Sequence, residues 1–510
     1  MIPTIWTAQR RLVPRWRSLA VTIDAKELAS PAKIDEKKAS YALADHLLEK
    51  LSMWRNAPSI IAAGELVEAA LVEARETEAI SAARFLLDER STATLPLKRL
   101  AGLALKRAGR HAELPAALTI LPRVDKNIWR KRTRLYPQNP LGWVELALFD
   151  VASGCREAAL RSMLVALQLA PNDRHVLRSA ARLFLHLHDP TKAYDILAKS
   201  GRTPTDPWLI AAELSIAELA HRKPRYFEQG RRMVDQGQFY PRQISELSGA
   251  MATLELQAGR KKRARDLFRQ STLDPTGNAL AQAEWASPAF GIELVSSHRL
   301  VTAPEADEAT VFHLLRSRQY RDVPNACKRW SDAEPYSIRP FEIGSSTSGM
   351  IGDLEQALEF ADKGLLVRPD APILLNNRAF VLAHVGRLKE AEQCLRPIGQ
   401  DDEKNWLIKQ ANLGLIEMRR GNYDAGSKHY SDATEGFKKA GNALMSEVAK
   451  LFFAREAAVA GLPAATELVA ACRDNFKKTD MAAFEHVLIE GENALASSNR
   501  EENSRIAPTK

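Results

Sequence analysis

This 510-residue chain predicts an all-α solenoid built from antiparallel helix-turn-helix repeats, and three observations carry that reading. A pattern of small and apolar residues returns about every thirty-four positions. Within each unit the apolar residues follow the i, i+3/i+4 spacing of helices. Finally, 45% hydrophobic residues with only 25 Gly and 26 Pro describe a chain able to bury a large core. The period is plainest between Phe341 and Leu395. Phe341, Gly344, Ser345, Gly352, Leu354, Ala357, Ala361 and Pro369 mark one unit. Leu375, Arg378, Ala379, Leu382, Gly386, Leu388, Ala391 and Leu395 return in the same frame.

Taken in order, residues 1–38 read as an irregular basic N-terminal arm, expected on the surface. Pro3, Pro14 and Pro31 forbid one continuous helix, and Arg10, Arg11, Arg15 and Arg17 precede the first acid, Asp24. Residues 39–136 read as divergent helical hairpins. Their helices are predicted over Ala39–Trp54, Ile60–Ala74, Glu78–Asp88 and Leu97–Lys106, the last closed by Gly109, and the basic run Lys126–Arg134 follows. Residues 137–285 form a first repeat block, in which Trp143, Leu146, Ala147, Gly154, Ala159, Ala166 and Pro171 give the fullest match. Leu177, Ala180, Ala181, Phe184, Ala193 and Leu197 repeat it, with His188 where the turn glycine belongs. After a looser hairpin over Trp208–Tyr240, the frame recovers at Met251, Ala252, Gly259, Ala264 and Phe268.

Residues 286–310, with Ser287, Pro288, Gly291, Ser296, Ser297 and Pro304, lose helical periodicity and are expected to be a joint dividing the solenoid into two lobes. A second block covers 311–440, and its last unit carries Leu413, Gly414, Gly421, Tyr423, Gly426, Tyr430 and Ala433. Residues 441–494 read as capping helices and 495–510 as a polar tail. The small positions have a packing cause. Where helix axes approach to about 8–10 Å, a side chain larger than Ala drives them apart. Ala147, Ala159, Ala181, Ala193, Ala379 and Ala391 are therefore assigned to helix crossings.

These residues resemble the tetratricopeptide (TPR) family, and the resemblance covers the blocks 137–285 and 311–440. It implies a non-catalytic scaffold or adaptor that binds protein or peptide segments in a concave groove lined by the first helix of each repeat. Carried onto this chain, the groove positions are His175, Arg178, Arg182 and His186 in one unit, Asn376, Phe380 and His384 in another, and Leu415, Met418 and Arg419 in a third. Two Arg and two His on one face would favour an acidic partner segment in the first lobe, while the second groove is more apolar. The family's carboxylate clamp for acidic tails is absent from the units after Ile338. Only Asn377 matches it, and Glu342, Ser346, Ile408 and Ala411 hold the other positions.

Catalytic signatures are wanting. Gly344–Gly349 (GSSTSG) has phosphate-loop glycine spacing, but Met350 stands where a lysine must reach the phosphates. His186, His188 and Asp189 form the one metal-like cluster, too few ligands for zinc. Cys155, Cys327, Cys394 and Cys472 lie far apart with no CxxC pair, so neither a zinc ribbon nor a disulfide framework is indicated. No enzyme activity, metal or cofactor is expected. No apolar run reaches the roughly 18 residues a membrane span needs, and a cytoplasmic location is expected.

The formal charge of +9 is concentrated in residues 1–270, and the remainder is mildly acidic. Three basic runs carry aromatics: Lys126–Arg134 with Trp129, His221–Arg232 with Tyr226, and Gly259–Arg269 with Phe268. Interleaving of this kind can bind single-stranded nucleic acid, so a nucleic-acid-associated regulator using the basic first half is the alternative function. An accessory subunit of an enzyme complex is the second alternative.

Overall fold

The computed structural model describes residues 10–16, 47–72, 75–88, 91, 93, 95–108, 110, 126–237, 239–303, 305–476 and 481–506. The rest of the N-terminal arm, including Arg17, Pro3 and Pro31, lies outside the described residues, as do the start of the helix read from Ala39, Gly109, Pro304 and the end of the tail. Among the described residues all regular structure is helical. The chain divides into two compact units: Arg17–Pro137, and Gln138–Lys510 together with Met1–Trp16.

In the smaller unit, helices span 47–56 (α1), Ile60–Val72 (α2), Ile80–Leu87 (α3), Leu95–Arg107 (α4) and Lys126–Leu135 (α5). Leu47, Leu66, Val67, Ala70, Ala83, Leu86, Ala101 and Leu105 make one core among α1 to α4. Ala and Gly at 101 and 102 are buried where α4 meets its neighbours.

The larger unit is a run of helix pairs. The first four pairs are Pro140–Ala152 and Arg156–Leu169 (α6, α7), Arg174–His186 and Pro190–Lys199 (α8, α9), Pro207–Leu219 and Phe227–Asp235 (α10, α11), and Pro241–Gln257 and Lys261–Ser271 (α12, α13). Then come Gly277–Phe290 and Ser297–Thr302 (α14, α15), Asp307–Arg316 and Val323–Ala333 (α16, α17), and Arg339–Met350 and Leu354–Val367 (α18, α19). The last are Pro372–His384 and Leu388–Leu395 (α20, α21), Glu403–Arg420 and Tyr423–Lys439 (α22, α23), Ala443–Val459 and Ala465–Phe476 (α24, α25), and finally Glu485–Ile506 (α26).

Local chemistry starts and stops these helices. Asn139 and Asp206 accept backbone N–H bonds as N-caps with proline next in line, and Asp173, Thr276, Asp353, Asp402 and Asn442 cap in the same way. The turn inside a pair needs a left-handed residue. Glycine supplies it at 154, 259, 352, 386 and 421, and His188 adopts it with φ 62°.

Apart from α14 and α15, each helix packs on its partner, and many first helices also pack on the next first helix: α8 on α10, α10 on α12, α12 on α14, α14 on α16, α18 on α20, α20 on α22, α22 on α24 and α24 on α26. The six alanines assigned to crossings are all completely buried. Gly344 and Gly414 serve the same purpose, since a Cβ on either would lie 2.8 Å or less from the Phe360 or Tyr430 ring of the paired helix. The small residues of Gly344–Gly349 are therefore packing residues within α18.

The stretch read as a joint is built differently from that expectation. α14 continues through Pro288 to Phe290 and ends on left-handed Gly291, and after a short loop the six-residue α15 follows. Further on, α19 returns to touch α6, and Arg156 lies 3.6 Å from Asp370. The hairpins from α6 to α19 therefore curl round until their ends meet.

Candidate functional site

Inside that curl runs Arg10–Trp16, a segment with neither helix nor strand. The surface arm expected from four arginines and no acid is not what these residues form. Arg10, Arg11, Leu12 and Trp16 are each less than one-tenth exposed. The acids that neutralise them come from elements some 200 to 300 residues later.

Glu308, in the first turn of α16, is the hub. Arg10 grips it with two bonds, Nε to Oε1 at 3.0 Å and Nη2 to Oε2 at 2.7 Å. Arg15 donates Nη2 to the same Oε2 at 2.6 Å, and its Nε lies 3.0 Å from Glu334. Arg10 also donates to the side-chain carbonyls of Gln282 at 2.6 Å and Asn278 at 2.8 Å. A buried pair is costly unless such extra bonds satisfy it, and deleting one side of it costs about 3–5 kcal/mol. Burial alone would push the Glu308 carboxyl up. The Arg10 and Arg15 guanidiniums outweigh that, with Arg339 behind them, and hold it well below the usual carboxylate range. Arg11 pairs with Glu218 near the end of α10.

The backbone of the segment is read as well. Gln282 donates Nε2 to the Arg10 carbonyl, and Asn278 donates Nδ2 to the Val13 carbonyl, both at 3.0 Å. The Trp16 N–H donates to the Tyr336 hydroxyl at 3.0 Å. Asn278 and Gln282 stand four residues apart on α14, hence on one face. Gln282 is braced in turn by Thr253 of α12 at 2.9 Å.

Apolar anchors alternate with these contacts. Leu12 enters the core with Leu214, Leu247, Met251 and Phe312. Gly249 leaves it room, since a Cβ there would lie 2.7 Å from Leu12 Cδ1. Trp16 enters the core of α6, α8 and α10, its ring 5.7 Å from that of Tyr336. A cavity of about 520 Å³ remains beside the segment, lined among others by Arg182, Leu185, Leu219 and Arg339.

The groove residues implied by the family frame are placed as follows. Arg178 is engaged within the scaffold, donating to Glu246 at 2.8 Å and to the Trp208 carbonyl at 2.9 Å. Arg182 lies with its guanidinium 5.0 Å from the Tyr336 ring centre. His175 is half-buried and His186 is 4% exposed. Of these four, Arg178 is thus tied within the scaffold and His186 is buried, while Arg182 reaches the cavity.

In the later hairpins, Asn376 is fully buried and joins α20 to α22 through Asn412 Nδ2 at 3.2 Å and the Asn405 carbonyl at 3.1 Å. Phe380 and Leu415 line an apolar cavity of about 50 Å³, which Phe452 helps to fill. His384 donates Nδ1 to the Phe380 carbonyl at 2.8 Å and accepts at Nε2 from Arg455 at 2.6 Å. Burial, then Arg455, pushes its pKa down to about 3. Arg419 forks onto Glu456 of α24 at 2.6 and 3.0 Å. Met418 faces the paired helix instead, its side chain against Gly426.

Among the described residues no group of three or more His, Cys, Asp or Glu side chains could hold a metal, and His186 and His188 form no such site. No helix there is long and apolar enough to cross a membrane. The aromatics of two basic runs are not free platforms, because Phe268 is 0% and Trp129 8% exposed.

No protein-family profile matches the chain, and no curated protein does. Among solved structures, it is similar to one titled as the APC/C hetero-tetramer Cut9-Hcn1, at 14% identity over 92% of this chain and 99% of that one, with a TM-score of 0.32. The P58(IPK) TPR domain aligns at 14% identity over 71% and 98% with a TM-score of 0.26, and yeast Tom70 at 12% over 86% and 96% with a TM-score of 0.30. What the described residues define is an all-helical stack of mostly paired helices. At these scores the likeness assigns neither function nor partner.

Proposed function

We propose that this chain is a non-catalytic protein-binding scaffold whose larger unit holds a non-helical segment of polypeptide against its first helices. One observation supports it above the others. The larger unit already binds seven residues of this kind, and it does so through main-chain groups, with Asn278 and Gln282 of α14 and Tyr336 of the α17–α18 loop meeting two carbonyls and one N–H. Side chains aimed at a backbone recognise a peptide as such, while pockets between them select its side chains. The exposed cationic surface at Arg260–Arg263 keeps a nucleic-acid partner as the second reading.

A photo-crosslinking residue in place of Leu219, which is 40% exposed beside the cavity, separates the two in the native source. The expected product is a covalent adduct with a defined polypeptide, unchanged by nuclease. Adducts that vanish on nuclease treatment, or none at all, would reject the scaffold reading.

A further inference from the structure

We infer that the interior of the larger unit is a recognition site for an arginine-rich, non-helical peptide of the form Arg-x-Leu-x-Pro-Arg-Trp, and that residues 10–16 are its resident ligand, held in cis. The inference rests on the scaffold reading above and names the ligand.

Four features point to a ligand rather than an ordinary piece of core. Specificity is divided as a peptide site divides it: Glu308 takes both Arg10 and Arg15, one pocket takes Leu12, another takes Trp16, and three side chains take the backbone. The arginine contacts are charge-assisted, and one is bidentate, which a lysine cannot copy. Pro14 fixes its own φ and disfavours helix at Val13, so less freedom is lost on binding. Finally, the segment does not fill its space, because about 520 Å³ stays open alongside it.

A polypeptide partner bearing two arginines five residues apart, with leucine between them, would present the same groups. To bind, it must displace residues 10–16. Tethering gives the cis segment an effective concentration on the order of millimolar, so a partner competes poorly while the tether is intact.

The test uses the full chain with a protease recognition sequence inserted after Asp24. After cleavage, a fluorescent synthetic peptide spanning Ala8–Ser18 is titrated by anisotropy against cut and uncut protein, and circular dichroism is followed in parallel. The cut protein is expected to keep its helical signal and to bind the peptide saturably, about 100-fold tighter than the uncut chain does. A peptide carrying Arg10→Glu and Arg15→Glu should lose at least 30-fold, and a scrambled peptide of equal charge should fail to bind.

In the cut protein, Glu308→Gln should weaken the authentic peptide at least 10-fold. Retention of the original segment without exchange, collapse of the helical signal on cleavage, equal binding to cut and uncut chains, or equal binding of the scrambled peptide would each overturn the proposal. If exchange fails while the Leu219 crosslink still captures a polypeptide, only this inference falls. Loss of the crosslink removes the scaffold reading as well.

Discussion

A neutral imidazole buried among arginines shapes the response of this protein to acid. His186 ends α8 at 4% exposure, and its Nε2 has no hydrogen-bond partner. Burial, then Arg182, Arg368 and Arg156, lowers its pKa to about 3. The unfolded chain takes up that proton near pH 6.5 while the folded chain refuses it down to about 3. Stability from this residue is therefore complete above about pH 6.5 and falls as the pH drops below it. His186→Leu removes the difference. Urea unfolding at pH 7 and pH 5 should show the variant losing about 1–2 kcal/mol less than the parent over that interval. Glu342, lifted by burial to about 7, titrates in the opposite sense but is present in both proteins and cancels from the comparison. Parallel losses in parent and variant would mean that His186 is protonated in the fold.

Pairs of helices are where sequence and structure agree best, because the forces involved are local. The alanines at crossings, the capping Asp, Asn and Thr residues and the turn glycines each act within a few residues of themselves, so their spacing is visible in one sequence. Ala159→Phe and Ala391→Phe should each cost about 1–3 kcal/mol, since both sites are fully buried and the helices must part to admit the ring. Exposed Glu355→Ala should change stability by no more than about 0.5 kcal/mol. Equal thermal midpoints for the three variants would contradict the observed packing. Agreement fails where an element is short or its length departs from the repeat. α15 has six residues, too few to show a period, so residues 286–310 read as a joint. α22 runs for 18 residues, Glu403–Arg420, and Met418 near its end turns toward α23 instead of the groove. At position 188 histidine does what glycine does elsewhere, and only the pattern around it marks the turn.

At the scale of the larger unit, the site itself was illegible in the sequence. Arg10 and Glu308 are 298 residues apart, and Trp16 and Tyr336 are 320 apart. No local period links such partners, and a basic stretch without acids looks solvated until the curl of hairpins brings carboxylates to it. Asn278 and Gln282 are amides one turn apart near the end of the first repeat block, and nothing in that spacing names their distant partners. The segment ties two cores together, Leu12 in one and Trp16 in the other. That arrangement makes a quantitative demand. Leu12→Ala alone should destabilise by about 2–5 kcal/mol and Trp16→Ala by about 3–5 kcal/mol, from lost burial and the cavities left behind. Their side chains sit in different cores, so if each merely packed where it lies, the double variant would cost nearly the sum, within about 0.5 kcal/mol. If residues 10–16 seat and leave as one unit, the first substitution already releases most of the segment, and the second removes contacts that are no longer made. Denaturant titration followed by circular dichroism should then give a double variant at least about 1 kcal/mol more stable than additivity requires. Strict additivity would show two independent core residues, and the segment would then not behave as a single ligand.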